Sequence, residues 1–181
     1  MSEPVSALGG KHFEGIAEIH EVGPVGMISL RAKDLKGLGN AVLAAVGTKV
    51  PAQRRIEVSE DRSCAWMSPD EYMLIMPYAD VGTALVALGK ALKGEHHLAV
   101  DVSDARAVFR IQGAEAANVL RKLMPVDFEA LELGEVCRTR AAQVAAAVWQ
   151  HDDCYTLICF RSVAEYVMGL LKHAATTGSE I

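Results

Sequence analysis

The alternation of apolar and polar residues predicts one supersecondary unit that occurs three times. Each copy has two short strands joined by a tight turn that contains aspartate, followed by a helix with one apolar side. The copies are CAWMSPDEYMLIMP (64–77), LAVDVSDARAVFRIQ (98–112) and AAAVWQHDDCYTLICF (145–160). Because their turns are unequally spaced, the pattern is not that of a solenoid of identical stacked repeats.

The local signals at the ends of these elements are specific. The three turns are predicted at Pro69 and Asp70, at Ser103 and Asp104, and at Asp152 and Asp153. Asp70, Asp104 and Asp153 are interpreted as turn residues rather than acid/base catalysts, since aspartate side chains bond nearby backbone N–H groups in turns.

Helix boundaries are predicted from caps and from helical spacing. An upstream strand, MISLR, is followed by a helix that Asp34 would cap and Gly47 would end. In the last helix Ser162 would be the N-cap, with Glu165 completing a capping box. The apolar positions of that helix are Val163, Tyr166, Val167, Leu170 and Leu171.

The element order predicts an α+β fold. It reads βαββαβ followed by βαββα, and the first six elements match a ferredoxin-like, or split βαβ, unit. We therefore expect two fused ferredoxin-like units in one compact domain over residues 25–181, dividing into about 25–101 and 102–181. Residues 1–24 show no sustained period and are expected to form an N-terminal arm.

Composition excludes several classes of function. The chain has 181 residues, 51% of them hydrophobic, and a formal net charge of -5 with both signs interspersed, so it lacks the basic footprint of a nucleic-acid-binding protein. No apolar run approaches the length of a membrane span, and the N-terminal sequence MSEPVSALGGKHFEG lacks a signal-peptide core. No membrane association and a cytoplasmic location are expected.

No residue cluster predicts a catalytic, cofactor or metal site. The four cysteines, none in CxxC or Cys/His ligand spacing, are expected to be reduced and structural. The glycine pairs complete neither a GxGxxG motif nor a P-loop. A dyad of His151 and Asp152 stays open, although no nucleophile accompanies it. The cysteines are Cys64, Cys137, Cys154 and Cys159.

The second repeat carries a family resemblance. From residue 100 to 128 the sequence VDVSDARAVFRIQGAEAANVLRKLMPVDF resembles the folate-binding fold of the glycine-cleavage aminomethyltransferases. The shared features are an Asp-x-Ser turn, a strand that ends in Gly113, a helix start of small residues and an apolar helix. The resemblance implies a folate-binding, aminomethyltransferase-like fold.

A closer resemblance is to the gamma-subunit family of heterotetrameric sarcosine oxidases. It rests on the blocks GMISLR, PAQRRI, WMSPDEYMLI, DVSDARAVFRI, RTRAAQVAAAVW and CFRSVAEYV, in that order between residues 26 and 167. It implies a complex that oxidises sarcosine to glycine, with hydrogen peroxide and 5,10-methylenetetrahydrofolate as the other products. It also implies partners, the alpha, beta and possibly delta subunits, and it places FAD, FMN, NAD, tetrahydrofolate and zinc on subunits other than this one.

The resemblance also bears on folate chemistry. The related aminomethyltransferases carry an acidic pair just before the apolar strand of the third repeat, and Val144 and Ala145 stand at that position. A carboxylate that would position the folate amine is therefore missing, which argues against a catalytic role.

The candidate functional residues are those of a partner interface. Guanidinium groups bind carboxylates in a bidentate manner, and arginine and aromatic residues are enriched at interfaces. For any single arginine a solvated surface position is the alternative. The candidates are Arg54, Arg55, Trp66, Tyr72, Arg106, Arg138, Arg140 and Arg161.

These observations give three hypotheses. The first is a non-catalytic, structural gamma subunit of a sarcosine oxidase. The second is a stand-alone folate-binding or aminomethyl-transfer protein of the same superfamily, which would require a pocket and a carboxylate. The third is a scaffold for another oxidoreductase, which residue chemistry does not separate from the first.

Overall fold

The protein is described by a computed structural model over residues 3–33 and 35–179. The strands are β1 (His12–Glu14), β2 (Glu18–Val22), β3 (Val25–Ala32), β4 (Ile56–Ser59), β5 (Arg62–Ser68), β6 (Glu71–Pro77), β7 (His97–Asp101), β8 (Arg106–Gln112), β9 (Val136–Ala141), β10 (Val144–His151) and β11 (Cys154–Phe160). The helices are α1 (Leu38–Val46), α2 (Val81–Ala91), α3 (Ala116–Arg121) and α4 (Ala164–Ala174). The predicted α+β class is confirmed, because these strands form two antiparallel sheets.

The chain divides into two compact units. The central unit comprises Pro24–Ser103, and the terminal unit comprises Met1–Gly23 together with Asp104–Ile181. The boundary thus falls two residues beyond the expected one, and the N-terminal segment belongs to the same unit as the C-terminal half.

The central unit is a five-stranded sheet with two helices on one face. Its strand order is β4-β5-β6-β3-β7. Alternate residues of the strands face α1 and α2, as the two-residue period of a strand requires. Fully buried side chains of this layer include Ile28, Leu30 and Leu74 from the strands and Val42 and Leu88 from the helices.

The terminal unit is a six-stranded sheet in the order β1-β2-β8-β11-β10-β9. Residues 12–22, expected in an arm outside the core, form its first two strands, and Ile19 is completely buried opposite Ile111. Without β2, one edge of β8 would present unpaired backbone groups over an apolar core. The N-terminal segment therefore completes this sheet.

Residues upstream of β1 are held by side chains of the same unit. The guanidinium of Arg161 donates to the carbonyls of Val5 (3.0 Å) and Ser6 (3.1 Å). The buried carboxylate of Glu21 accepts hydrogen bonds from the Ser6 hydroxyl and the Gly10 N–H, both at 2.8 Å. Lys11 forms an ion pair with Glu165 on α4. These bonds keep most of the segment packed against the unit.

The predicted second hairpin is wrong. β7 pairs with β3 in the central sheet, whereas β8 pairs with β2 and β11 in the terminal sheet. A short 3₁₀ turn, Ser103–Ala105, connects them. Ser103 donates its N–H (2.9 Å) and its hydroxyl (2.6 Å) to Asp101, and that hydroxyl accepts the N–H of Met27 at 2.9 Å. The Asp-x-Ser turn thus follows the last strand of the central sheet, and the next strand, β8, belongs to the terminal sheet.

The other two hairpins form as predicted. The turn at Pro69 and Asp70 joins β5 to β6, and the turn at Asp152 and Asp153 joins β10 to β11. Asp152 has φ 48°, a left-handed conformation in which aspartate is enriched among non-glycine residues.

The predicted end of α1 is confirmed, whereas the predicted start of α4 is wrong. Gly47 ends α1 with φ 72°, as expected, whereas the predicted cap Asp34 lies outside the described residues. α4 begins after Val163 without a side-chain cap, so the capping box of Ser162 and Glu165 is wrong. A 3₁₀ turn at Arg161–Val163 delays the helix.

The buried face of α4 is also rotated by one residue from the predicted one. Ala164, Val167, Met168 and Leu171 are buried, while Tyr166 is 45% exposed.

Candidate functional site

A row of four side chains, three of them exposed and Arg106 half-buried, crosses the terminal sheet on the face opposite its helices. The strand registers place Arg106 opposite Phe160 and Ala145 opposite Arg140. Ala146 pairs with Cys159, so one further step along the same register brings Phe160 beside Ala145. Neighbouring strands lie about 4.8 Å apart, so the row extends about 15 Å from β8 to β9. We call these four residues the arginine row.

The arginine row combines an aromatic surface with positive charge. The guanidinium carbon of Arg106 lies 4.1 Å from the centroid of the Phe160 ring, a cation–π contact. Phe160 is 48% exposed, and Ala145 and Arg140 are exposed as well. Phe160 was missed by sequence reasoning, because only the cross-strand register shows that it stands beside arginines.

Arg138 adds a further positive charge two residues along β9. It is exposed, and the register places it opposite Ala147, which is 2% exposed. In the same line across the sheet lie Val108 and Ile158, both buried. The structure thus brings three predicted interface arginines, Arg106 included, to one end of one sheet face, with no carboxylate among the residues of the two lines.

Arg54, Arg55 and Trp66 belong to the central unit. Arg54 is exposed with φ 60°, in the loop before β4. The carbonyl of Arg55 accepts the N–H of Trp66 at 2.9 Å, so this loop continues the pairing of the β5 edge. Trp66 is half-buried against the helix-side core.

Tyr72 and Arg161 are engaged inside their own units. Tyr72 is 9% exposed within the core of the central unit. Arg161 directs both terminal nitrogens to carbonyls of the N-terminal segment. Tyr72 is therefore buried, and the hydrogen bonds of Arg161 already serve its own unit.

Val144 and Ala145, which stand where the aminomethyltransferases carry an acidic pair, lie at the arginine row. Val144 packs against the helix-side core, whereas Ala145 is exposed between Phe160 and Arg140. A carboxylate on this face would therefore stand beside Arg140. The chain has a methyl group at that point, so this surface offers positive charge and apolar area but no base.

The possible acid/base residues lie at hairpin turns: Asp70 between β5 and β6, and His151 and Asp152 at the turn from β10 to β11. The Ser68 hydroxyl donates to Asp70 at 2.8 Å and, together with Arg31, lowers the pKa of that carboxyl below its usual value. His151 Nδ1 lies 3.1 Å from an oxygen of Asp152, and both side chains are exposed. The pair therefore lies in solvent rather than in a site shielded from water.

The cysteines are free thiols, as predicted. Burial raises the pKa of the Cys159 thiol to about 11, against a smaller opposing effect of Arg106. Burial likewise raises the pKa values of Cys64 and Cys154. Because the thiolate is the reactive form, these thiols are poor nucleophiles.

The described part of the chain contains neither a metal-binding cluster nor a membrane-spanning helix. No group of three or more His, Cys, Asp or Glu residues within 3–33 and 35–179 is arranged to hold a metal ion. Over those same residues, no helix is long and apolar enough to cross a membrane.

Solved structures establish which folds are similar. A chain of the heterotetrameric sarcosine oxidase from Corynebacterium sp. U-96, in complex with pyrrole 2-carboxylate, superposes with a TM-score of 0.83 at 24% identity, covering 94% of this chain and 90% of that one. The glycine cleavage system aminomethyltransferase T from Bartonella henselae gives a TM-score of 0.64 at 14% identity, covering 87% of this chain and 46% of that one. Both show a shared fold.

Sequence comparison establishes the family. The sarcosine oxidase subunit gamma of Corynebacterium sp. (strain P-1) is 30% identical over 141 residues, which is 75% of this chain and 68% of that protein. The model of the family described as "Sarcosine oxidase, gamma subunit family" matches residues 32–177. The resemblance found from the sequence blocks is confirmed, and the chain belongs to the sarcosine oxidase gamma subunit family.

Proposed function

We propose that the chain is a non-catalytic subunit of a heterotetrameric, flavin-dependent sarcosine oxidase, with a structural role in assembly. Family membership carries the proposal. The alpha and beta subunits, and possibly delta, are its partners. FAD, FMN, NAD and tetrahydrofolate would then be held by those other subunits, and the oxidation of sarcosine would take place there.

The chemistry of this chain agrees with a role without catalysis. No carboxylate that could act on a folate amine lies in the two lines of residues that contain Ala145 and Ala147, and burial holds the thiols of Cys64, Cys154 and Cys159 neutral. The arginine row, with Arg138 beside it, supplies what an interface uses: guanidinium groups for carboxylates and a half-exposed aromatic ring.

Co-expression tests the assembly role. The tagged chain, produced with its neighbouring genes, should retain the flavin-containing subunits on an affinity column, as judged by flavin absorbance and mass spectrometry. Failure to recover any flavoprotein subunit would refute the proposal.

Matched variants test the arginine row itself. The double change Phe160→Ala/Arg140→Ala removes one exposed ring and one exposed cation, and we expect at least about tenfold weaker retention of the partners. Val86→Ala/Lys90→Ala on α2 removes an exposed side chain (Val86, 57% exposed) and a cation elsewhere, and should not change retention. Equal effects of the two doubles would exclude the arginine row as the docking surface.

Calorimetry distinguishes the folate alternative. If the isolated chain binds tetrahydrofolate with micromolar affinity, the stand-alone folate-binding function is favoured over an assembly role. We expect no heat of binding, because the surface that would position the amine carries Ala145.

We also infer that both units are ferredoxin-like and that the terminal one is circularly permuted. The strand neighbours β7-β3-β6-β5 of the central sheet correspond to β2-β8-β11-β10 of the terminal sheet. β2, from the N-terminal end of the chain, occupies the position that β7 has after α2. The two arrangements support a duplicated split βαβ unit.

A further inference from the structure

The strand β7 is an open edge of the central sheet. Among the described residues it has one strand neighbour, β3. Its sequence, HLAVD, contains neither proline nor lysine, the residues that commonly protect an edge. Leu98 is 54% exposed and Val100 is 42% exposed, although both are aliphatic. In the terminal sheet the corresponding edge strand β2 is covered by β1.

The register with β3 fixes the direction of the backbone groups of β7. Val102 donates its N–H to the carbonyl of Met27 at 2.8 Å, so this pair is a hydrogen-bonded one. In an antiparallel ladder such pairs alternate, and therefore Val100 and Leu98 also direct their N–H and C=O groups toward β3.

The remaining residues of β7 direct their backbone groups outward. These are His97, Ala99 and Asp101, which form non-hydrogen-bonded pairs with β3. Three N–H and three C=O groups thus lie in a line along the free side of the strand. A second strand placed there meets a complete set of donors and acceptors.

We propose that the occupant of this edge is a second copy of the same chain, paired antiparallel through β7 about a twofold axis at Ala99. Ala99 of each copy would then exchange N–H···O bonds with the other. His97 would lie opposite Asp101 of the second copy, and Leu98 opposite Val100 of the second copy. The two five-stranded sheets become one continuous sheet of ten strands.

The side chains of β7 are self-complementary in this register. The four aliphatic groups, Leu98 and Val100 from each copy, gather on one face, where burial stabilises them. At each end a histidine faces a carboxylate. Centring the pair on Leu98 instead would set Asp101 opposite Glu95 of the second copy, two carboxylates, which disfavours that register.

Local hydrogen bonds orient the two charged ends. His97 Nδ1 lies 2.9 Å from the carbonyl of Glu95 and donates to it, which leaves Nε2 directed away from that bond. The Asp101 carboxylate accepts the N–H and the hydroxyl of Ser103 through one oxygen, Oδ1. Both groups are therefore positioned at the strand ends before a second copy arrives.

Analytical ultracentrifugation of the full chain tests the proposal. One β-strand pair buries a small area, so we expect a weak dimer with a dissociation constant between about 10 μM and 1 mM. Ala99→Pro removes an outward N–H that β3 does not use, a position where an edge strand accepts proline. It should raise the dissociation constant at least about tenfold while the chain stays folded by circular dichroism.

A second variant guards against misfolding as the cause. Leu98→Lys/Val100→Lys changes only exposed side chains and places like charges across the proposed pair, so it should also abolish the dimer. Leu43→Lys on α1, which is 58% exposed, is the matched control and should dimerise as the unchanged chain does. A chain that is monomeric to about 1 mM, or β7 variants that dimerise normally, would overturn the proposal.

Hydrogen exchange tests the register directly. On raising the chain concentration, the amides of His97, Ala99 and Asp101 should become protected, while those of Leu98 and Val100 are protected at all concentrations. Protection that appears only when other sarcosine oxidase subunits are added would overturn self-pairing and assign the edge to a partner. The pull-down described above is independent of this result.

Discussion

Replacing Ile19 by alanine tests whether the N-terminal segment is an integral strand. Ile19 is completely buried in β2, opposite Ile111, and it belongs to the helix-side core of the terminal unit. If residues 1–24 were a separable arm, the substitution would have almost no effect on folding. In the structure it removes three carbon atoms from the centre of a core.

The magnitude follows from that burial. Each lost methylene-sized group costs about 0.8 kcal/mol of transfer free energy, so three cost about 2.4 kcal/mol. The cavity left between Ile111 and its neighbours adds to this, and buried Ile→Ala changes span about 2–5 kcal/mol. We expect the free energy of unfolding to fall by about 3 kcal/mol.

Tryptophan fluorescence during urea unfolding measures this loss. Trp149 on β10 is 5% exposed and belongs to the same unit as Ile19, whereas Trp66 belongs to the central unit. A Trp66→Phe background therefore restricts the signal to the terminal unit. With a slope of about 2 kcal/mol per molar urea, the midpoint should fall by about 1.5 M.

Val5→Ala is the matched control. Its side chain is 60% exposed in the same N-terminal segment, so the change should cost less than about 0.5 kcal/mol. If Ile19→Ala were as mild as this control, β2 would not be packed against β8 as described, and the reasoning would fail.

Three further predictions concern the terminal unit. Gly15→Ala should lower the free energy of unfolding, measured in urea, by about 1–3 kcal/mol, because the new Cβ would lie 2.0 Å from the Ala175 carbonyl oxygen. Gly169→Ala in α4 has open space around it and should raise the free energy of unfolding by about 0.5–1 kcal/mol. The Cys159 thiol ionises near pH 9.0 in the unfolded chain, whereas burial raises its pKa to about 11 in the folded chain. The free energy of unfolding should therefore fall as the pH rises from 9 to 11, and Cys159→Ala should make this fall smaller. Arg161→Ala should release the first residues, detected as faster proteolytic cleavage upstream of β1 with a loss of only about 1 kcal/mol in stability, and Arg161→Lys should be intermediate.

The sequence predicted the features that depend on neighbours along the chain. The hairpins at Pro69 and Asp152 formed because a two-residue turn and two alternating strands are specified locally. Gly47 ended α1 because it adopts a left-handed conformation without steric cost. Free cysteines and an α+β class followed in the same way, from spacing and periodicity.

The sequence did not predict the buried face of α4 or the residue at which this helix begins. The apolar positions of α4 allowed two buried faces, and packing against the sheet selected the one with Val167 and Leu171 rather than the one with Tyr166. The 3₁₀ turn before α4 displaced the predicted cap at Ser162, because a helix start depends on how the preceding strand meets the core.

Only the tertiary structure decided which strands are neighbours. A period of two identifies a strand and its buried face, but it carries no information about which distant edge will satisfy its backbone groups. The sequence therefore predicted that β7 and β8 form a hairpin, although they belong to different sheets. It also predicted an N-terminal arm where the structure has β2, the strand that pairs with the edge of β8. The arginine row has the same origin: Arg106, Phe160 and Arg140 are far apart in sequence, and long-range pairing through β11 and β10 places them side by side.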